Sequence, residues 1–470
     1  MIGQSRKGAF PLLGVVQITL IAAITMLAVA SPSLQRDFAL SAGDLALLNC
    51  AYGLSFSGLL LLGGNLADQL PRRRCLLIAL GVFILGSLVV AASPNLVVLL
   101  VGRLVEGAGA ALAAPTALAL VETIFPQPAR RSAAVALWGT LAAFGATAGT
   151  LVGGLTSGFG SWRWMFVGSA LVMAGVAALV PRLLPNDVPP TQAARLGLPG
   201  TVLTLVGIGG LTYGLVQAPE HSWTAPQVLL ALAVGVIALV GFSAHEIWSP
   251  RPLVRWPMFS SPAQMAGLVL ILATSASTTA VFYFFSLYLQ QLRGYSPLST
   301  TAAFLPIGLV LVLVGARVGR LLGRWGAGKV LPVGAAFTGL GLLVLSRVDL
   351  DAPYIGLPLI GLVLVPAGAS LSFAGATVAA VRGVDTSDAG LAGGVVNLAM
   401  ETGPVIGLAV LVSISGARST ALLGHTNPAE AAVAGQGLAF AVWGAVMVIG
   451  AVIAAVALSR AAPVAAPFHE

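Results

Sequence analysis

Fourteen stretches of this chain are apolar for long enough to cross a lipid bilayer, and together they leave little sequence for anything else. They fall at about 10–31, 45–66, 75–93, 96–121, 132–156, 164–183 and 200–218, then at 227–247, 263–289, 298–320, 330–346, 354–381, 392–416 and 436–459. Roughly 20 apolar residues span the hydrocarbon core as one helix. Only 8% of the 470 residues are charged, against about 25% in soluble domains. The expected fold class is therefore all-α integral membrane, a bundle of 14 transmembrane helices. The 57 glycines suit helices whose backbones approach closely in lipid.

Charge orients the bundle. Of the 23 lysines and arginines, 17 fall in loops on the side of the N-terminus, five (Arg36, Arg163, Arg293, Arg347, Arg418) on the other, and Arg103 within a span. Basic residues gather on the cytoplasmic side, so both termini are expected there, in a cell (inner or plasma) membrane. The same rule accounts for the net charge of +8 without nucleic acid. Arg6 and Lys7 precede a first span that is expected to be retained rather than cleaved as a signal. Cys50 and Cys75 have no metal-ligand spacing and are not expected to pair.

The chain also repeats itself. GNLADQLPRRR (64–74) aligns with GRLLGRWGAGK (319–329), and GTLVGG (149–154) with GPVIGL (403–408), at offsets of 255 and 254. The expected organisation is a six-helix bundle over 1–195, an inserted pair over 196–255 and a second six-helix bundle over 256–470. Repeated halves with a site between them near the midplane are the pattern of secondary transporters.

Charges inside the spans are the candidate chemistry. Arg103 and Glu106 are i, i+3 neighbours on the fourth span and so share a face. A charge at the bilayer centre costs roughly 2.5–3.5 kcal/mol on insertion scales and is a functional candidate by default. Pairing and burial act on the Glu106 carboxylate in opposite senses, the balance a proton carrier needs. Glu401 lies about midway along the thirteenth span, with no cation within four residues. Gln17, Asn49, Tyr52, Tyr283 and Asn397 are weaker candidates to line a cavity around these acids, since residues of these kinds are more often plain packing than ligand contacts. Gly145, Gly149 and Gly153 recur every four positions, forming a groove that another helix can enter.

These motifs resemble the major facilitator superfamily. Gly64, Leu66, Ala67, Asp68, Arg72 and Arg73 match its loop signature, with Gln69 and Pro71 as departures. Arg103 and Gly107 match the fourth-helix signature of its proton-coupled exporters, with Glu106 where glutamine is commoner. Gly145, Gly149, Gly153 and Gly154 match the fifth-helix antiporter motif, with Thr150 in place of its proline. SWRWMF (161–166) and YLQQLRGYSPLSTTAAFLP (288–306) are similar to signatures of the fourteen-helix drug:proton antiporters. The resemblance implies two six-helix halves plus two inserted helices. It implies proton coupling through Arg103, Glu106 and Glu401, a conformational gate at Gly64, Asp68, Arg72 and Arg73, and export of amphipathic drugs or antibiotics.

No enzyme chemistry competes. GRWGAGK (323–329) imitates a phosphate-binding loop but is followed by Val330, so no hydroxyl is available for Mg²⁺. No cofactor or metal is expected; the expected partners are a small-molecule substrate, protons and the lipid bilayer, with the chain acting as a monomer. The competing expectations are an importer or uniporter of a small metabolite, and a membrane sensor or scaffold that transports nothing.

Overall fold

The computed structural model describes residues 8–125, 127–184, 197–249, 261–382 and 389–460. Among these residues it is a bundle of fourteen α-helices. They are α1 Ala9–Phe38, α2 Ala42–Gln69, α3 Arg72–Ala91, α4 Leu96–Ile124, α5 Pro128–Phe159, α6 Arg163–Leu183 and α7 Leu198–His221. The rest are α8 Pro226–Trp248, α9 Pro262–Leu287, α10 Pro297–Trp325, α11 Ala327–Leu345, α12 Leu357–Ala380, α13 Ala389–Leu422 and α14 Pro428–Arg460. Twelve are long and apolar enough to cross a membrane on their described residues. The other two, α2 and α5, pass between these and close the count of fourteen. An even number of crossings returns both ends to one face, called here the terminal face; the opposite one is the far face.

Local chemistry sets the helix starts. Ser41 and Asp44 form a reciprocal capping box at α2, Asp44 N–H donating to Ser41 Oγ at 3.0 Å and Ser41 N–H to Asp44 Oδ2 at 3.2 Å. Asn95 Oδ1 accepts from Val98 N–H at 3.0 Å and Ser296 Oγ from Ser299 N–H at 3.1 Å, opening α4 and α10. Prolines occupy the first turns of α5, α8, α9 and α10, where no amide donor is needed.

The packing repeats with a step of eight helices. In the first half α3 packs on α4 and α6, α2 on α4, and α1 on α4, α5 and α6. In the second half α11 packs on α12 and α14, α10 on α12, and α9 on α12, α13 and α14. The halves meet along two seams, α2 against α13 and α5 against α10. The inserted pair α7–α8 enters through α7, which touches α2 and α13 together. Both boundaries expected for the inserted pair, after 195 and after 255, lie outside the described residues.

Candidate functional site

Arg103 and Glu106 do form the pair their spacing suggested. Arg103 Nη1 donates to Glu106 Oε2 at 2.6 Å, and both side chains are buried, with 1% and 0% of their surface accessible. The pair is enclosed because glycines bring neighbouring backbones in. A Cβ on Gly107 would lie 2.2 Å from Tyr52 O, and one on Gly86 would lie 2.3 Å from Glu106 N. No water-sized space is left along those two crossings, α4 on α2 and α3 on α4.

Side chains and a carbonyl from α1, α2, α3 and α6 complete the cage. Ser87 Oγ donates to Glu106 Oε1 at 2.7 Å from α3. Arg103 Nη1 also donates to Ala23 O of α1 at 3.3 Å. The guanidinium stands 4.7 Å from the Tyr52 ring centre and 5.9 Å from that of Phe166, within cation–π range. Among the described residues, Arg103 Nε is buried without a hydrogen-bond partner. Ser87, Ala23 and Phe166 were invisible in the sequence because they lie on other helices.

Glu401 is placed differently. It lies about a third of the way along α13, half-buried, and no described residue gives its carboxylate a hydrogen bond or an ion pair. One turn further on, Val405 meets α2: Cys50 Sγ donates to Val405 O at 3.6 Å, and a Cβ on Gly53 would lie 2.7 Å from Val405 Cγ2. Glu401 therefore sits at the seam between halves, where Glu106 is sealed within one half. Gln17, Asn49 and Asn397 are likewise half-buried. Asn49 donates to Ser31 Oγ at 3.1 Å and to Leu45 O at 2.8 Å.

The two tyrosines lie deeper than the other three cavity candidates. Tyr52 is 1% accessible, donates to Leu20 O at 3.0 Å and lies under the Arg103 guanidinium. Tyr283 is 2% accessible and packs edge-on against Phe284.

The fifth-helix glycines divide between two partners. Cβ atoms on Gly145, Gly149 and Gly153 would lie 2.7, 2.5 and 2.5 Å from the carbonyl oxygens of Ile18, Ala22 and Met26 on α1. On Gly154 a Cβ would lie 1.7 Å from Thr301 Oγ1 of α10, in the other half. The repeat copy behaves alike: on Gly403 of α13 it would lie 2.3 Å from Leu272 O of α9. Thr150, standing in for the expected proline, donates its hydroxyl to Thr147 O at 2.7 Å, a back-bond that bends helices mildly. Pro404 occupies the corresponding place in α13.

Hydrogen bonds between the halves, among the described residues, run from mid-bundle to the far face. Besides Cys50–Val405 they are Gln290 Nε2 to Val29 O at 2.9 Å, Gln291 Nε2 to Gln35 Oε1 at 2.5 Å and Thr301 Oγ1 to Thr150 O at 3.1 Å. The glutamines project from a single π-helical turn, Tyr288–Leu292, that ends α9; such turns recur at functional sites. The bundle is thus closed on the far side. Thr301→Val should remove a bond worth about 0.5–1.5 kcal/mol. The open-far population is then expected to rise about two- to tenfold, read as longer distances between spin labels at Gly158 and Leu298.

At the terminal face, Arg72 Nη1 donates to Ala119 O at 2.8 Å and to Thr123 Oγ1, so it caps the last turn of α4, where a cation complements the helix dipole. The Asp68 side chain lies outside the described residues. Arg73 has a partner in the fold. A Cβ on Gly64 would meet nothing within 4 Å, so that glycine answers no packing need here. The SWRWMF signature fastens the far face: Trp162 Nε1 donates to Asp37 Oδ2 at 2.8 Å and Arg163 to Ser93 O at 2.9 Å. Cys50 and Cys75 are buried and unpaired.

Known proteins align with this arrangement end to end. The chain is 35% identical over 439 residues to the puromycin resistance protein pur8 of Streptomyces alboniger, covering 92% of this chain and 87% of that protein. It is 34% identical to the cephamycin export protein CmcT of Amycolatopsis lactamdurans, covering 87% and 84%. It is 30% identical to the multidrug resistance protein Stp of Mycobacterium tuberculosis, covering 84% and 73%. Among solved structures, the peptide transporter POT bound to sulfate superposes with a TM-score of 0.69 at 15% identity, over 97% of this chain and 94% of that one. The nucleoside transporter NupG gives 0.65 at 13% identity, over 96% and 99%; these two share the fold alone. The family model of the Major Facilitator Superfamily matches residues 13–408. With its fourteen helices, its sealed Arg103–Glu106 pair and its antibiotic-resistance relatives, the chain belongs to the Major Facilitator Superfamily, in its drug:proton antiporter branch.

Proposed function

We propose that the chain exports amphipathic drugs, antibiotics or related small molecules in exchange for protons, as a monomer with its termini in the cytoplasm. The observation that carries this reading is Glu401: an acid at the seam between halves, half-buried and unpartnered among the described residues. A group so placed meets the substrate cavity and gains or loses a proton as the seam opens. Arg103 and Glu106 form a second charged site that senses the same movement through α1, α2 and α3. Gln17, Asn49 and Asn397 supply polar contacts in the cavity. Gly64, Asp68, Arg72 and Arg73 form the gate at the terminal face, and the glycines at 145, 149, 153 and 154 form the face along which α5 contacts α1 and α10.

The resistance and export relatives favour outward drug movement over import of a metabolite or a role as a silent scaffold. One proton entering down about 100 mV and one pH unit releases roughly 3.7 kcal/mol, enough for about a 500-fold gradient at one-to-one exchange. In vesicles, Glu401→Gln is expected to abolish pH-driven efflux of a drug from a substrate panel while leaving downhill exchange intact. Glu106→Gln is expected to weaken the same coupling. Full coupling in both variants would overturn the assignment.

A further inference from the structure

Two of the five far-face arginines are left without work. Arg36 donates to Pro32 O and Ser33 Oγ, each at 3.4 Å. Arg163 is bound to Ser93 O and lies 4.4 Å from the Trp162 ring centre. Arg293 donates to Leu350 O and Ala352 O at 2.7 Å each. Arg347 and Arg418 make no side-chain hydrogen bond or ion pair with any described residue, yet both line one cleft of about 800 Å³ between α11, α13 and α14. Both are exposed, yet they line the same cleft.

The rest of that cleft is aliphatic, with Leu343, Val344, Leu357 and Leu438 among its walls. A second groove of about 440 Å³ runs on the other side, between α7, α13 and α14, past Trp223 and Ile414. Arg418 and Leu438 belong to both grooves. Arg418 lies four residues before the end of α13 and Arg347 two beyond the end of α11, so both backbones stand within about 6 Å of the helix ends. That is headgroup depth. The nearby Asp349 is turned onto its own loop, its Oδ1 accepting from Asp351 N–H at 3.0 Å.

We propose that the two grooves hold one anionic glycerophospholipid of the far leaflet. Its phosphodiester lies between Arg347 and Arg418, and one acyl chain follows each groove. Guanidinium groups bind phosphate oxygens through paired, charge-assisted hydrogen bonds, and the forked apolar space beneath them suits a two-tailed molecule better than a free anion. A lipid there would bridge α11 and α7 across α13 and α14.

Native mass spectrometry of the full-length protein in detergent tests this with three added probes: phosphatidylglycerol, phosphatidylcholine and inorganic phosphate. One phosphatidylglycerol is expected to be retained in preference to phosphatidylcholine, with phosphate unable to displace it. Arg347→Gln with Arg418→Gln should lower its retention at least about tenfold, the equivalent of 1.4 kcal/mol, whereas the paired lysine substitutions should keep most of it. Leu438→Trp, which leaves both charges and fills the fork, should also expel the lipid. Unchanged retention in the double glutamine variant or in Leu438→Trp would overturn the proposal. So would displacement by inorganic phosphate, which would mark a free-anion site.

Discussion

Arg103→Met is expected to be the most damaging single change in the membrane interior. It would leave the Glu106 carboxylate buried with Ser87 as its remaining hydrogen-bond donor. Breaking a buried ion pair from one side costs about 3–5 kcal/mol, much more than replacing the pair together. The variant should therefore show a large drop in apparent unfolding temperature after purification, and no export. Adding Glu106→Gln should restore most of the stability, because the stranded charge is gone. Export by that double variant then separates the two roles of Glu106. Coupling that survives in the double variant would show that Glu106 only neutralised Arg103, and the single Glu106→Gln variant tests the carrier role.

Gly149→Ala is expected to be the second large effect, although it adds one methyl group. The new Cβ would lie 2.2 Å from Thr25 Oγ1 and 2.5 Å from Ala22 O. The carbonyl cannot yield without shifting α1, and Thr25 is itself held by a 2.8 Å hydrogen bond to Ala146 O. Overpacking of this kind costs about 1–3 kcal/mol and would hold α1 and α5 apart, with loss of export. Gly168→Ala is the matched control. Its Cβ would meet nothing within 4 Å, and alanine in a helix is favoured over glycine by about 0.5–1 kcal/mol. Unfolding temperatures of the two variants should thus move in opposite directions. Equal behaviour would mean that α5 and α1 are not packed this closely in the membrane.

Much of this was legible in the sequence for identifiable reasons. Helices in lipid announce themselves by length and apolarity, so the fourteen spans could be counted, although α1 and α14 run well past the apolar stretch. The Arg103–Glu106 pair is local, three residues apart on one helix, and needed no tertiary knowledge. Ser87 could not be found that way, since nothing in the sequence states which serine of α3 faces α4. The glycines show the same limit. Their four-residue period groups 145, 149 and 153 on one face, but Gly154 lies about 100° further round the helix and reaches α10 instead of α1. The terminal-face gate was legible as a motif only: Asp68 drew its expected role from the loop signature, whereas the position of Arg72, bound to the end of α4, depends on a helix 47 residues away.

The inserted pair also changes how compounds in the lipid meet the two seams. The two halves are related by repetition, so their two seams would be equivalent in a twelve-helix bundle. Here α7 lies against both α2 and α13, and the Glu220 carboxylate at its end accepts from Gly43 N–H at 2.7 Å. Among the described residues the α5–α10 seam has no such cover, and it turns Leu155, Leu305 and Leu309 outward. A compound dissolved in the bilayer therefore meets one walled side and one bare side. Sideways entry becomes handed, and the helices that distinguish this architecture act as a fence as much as a spacer.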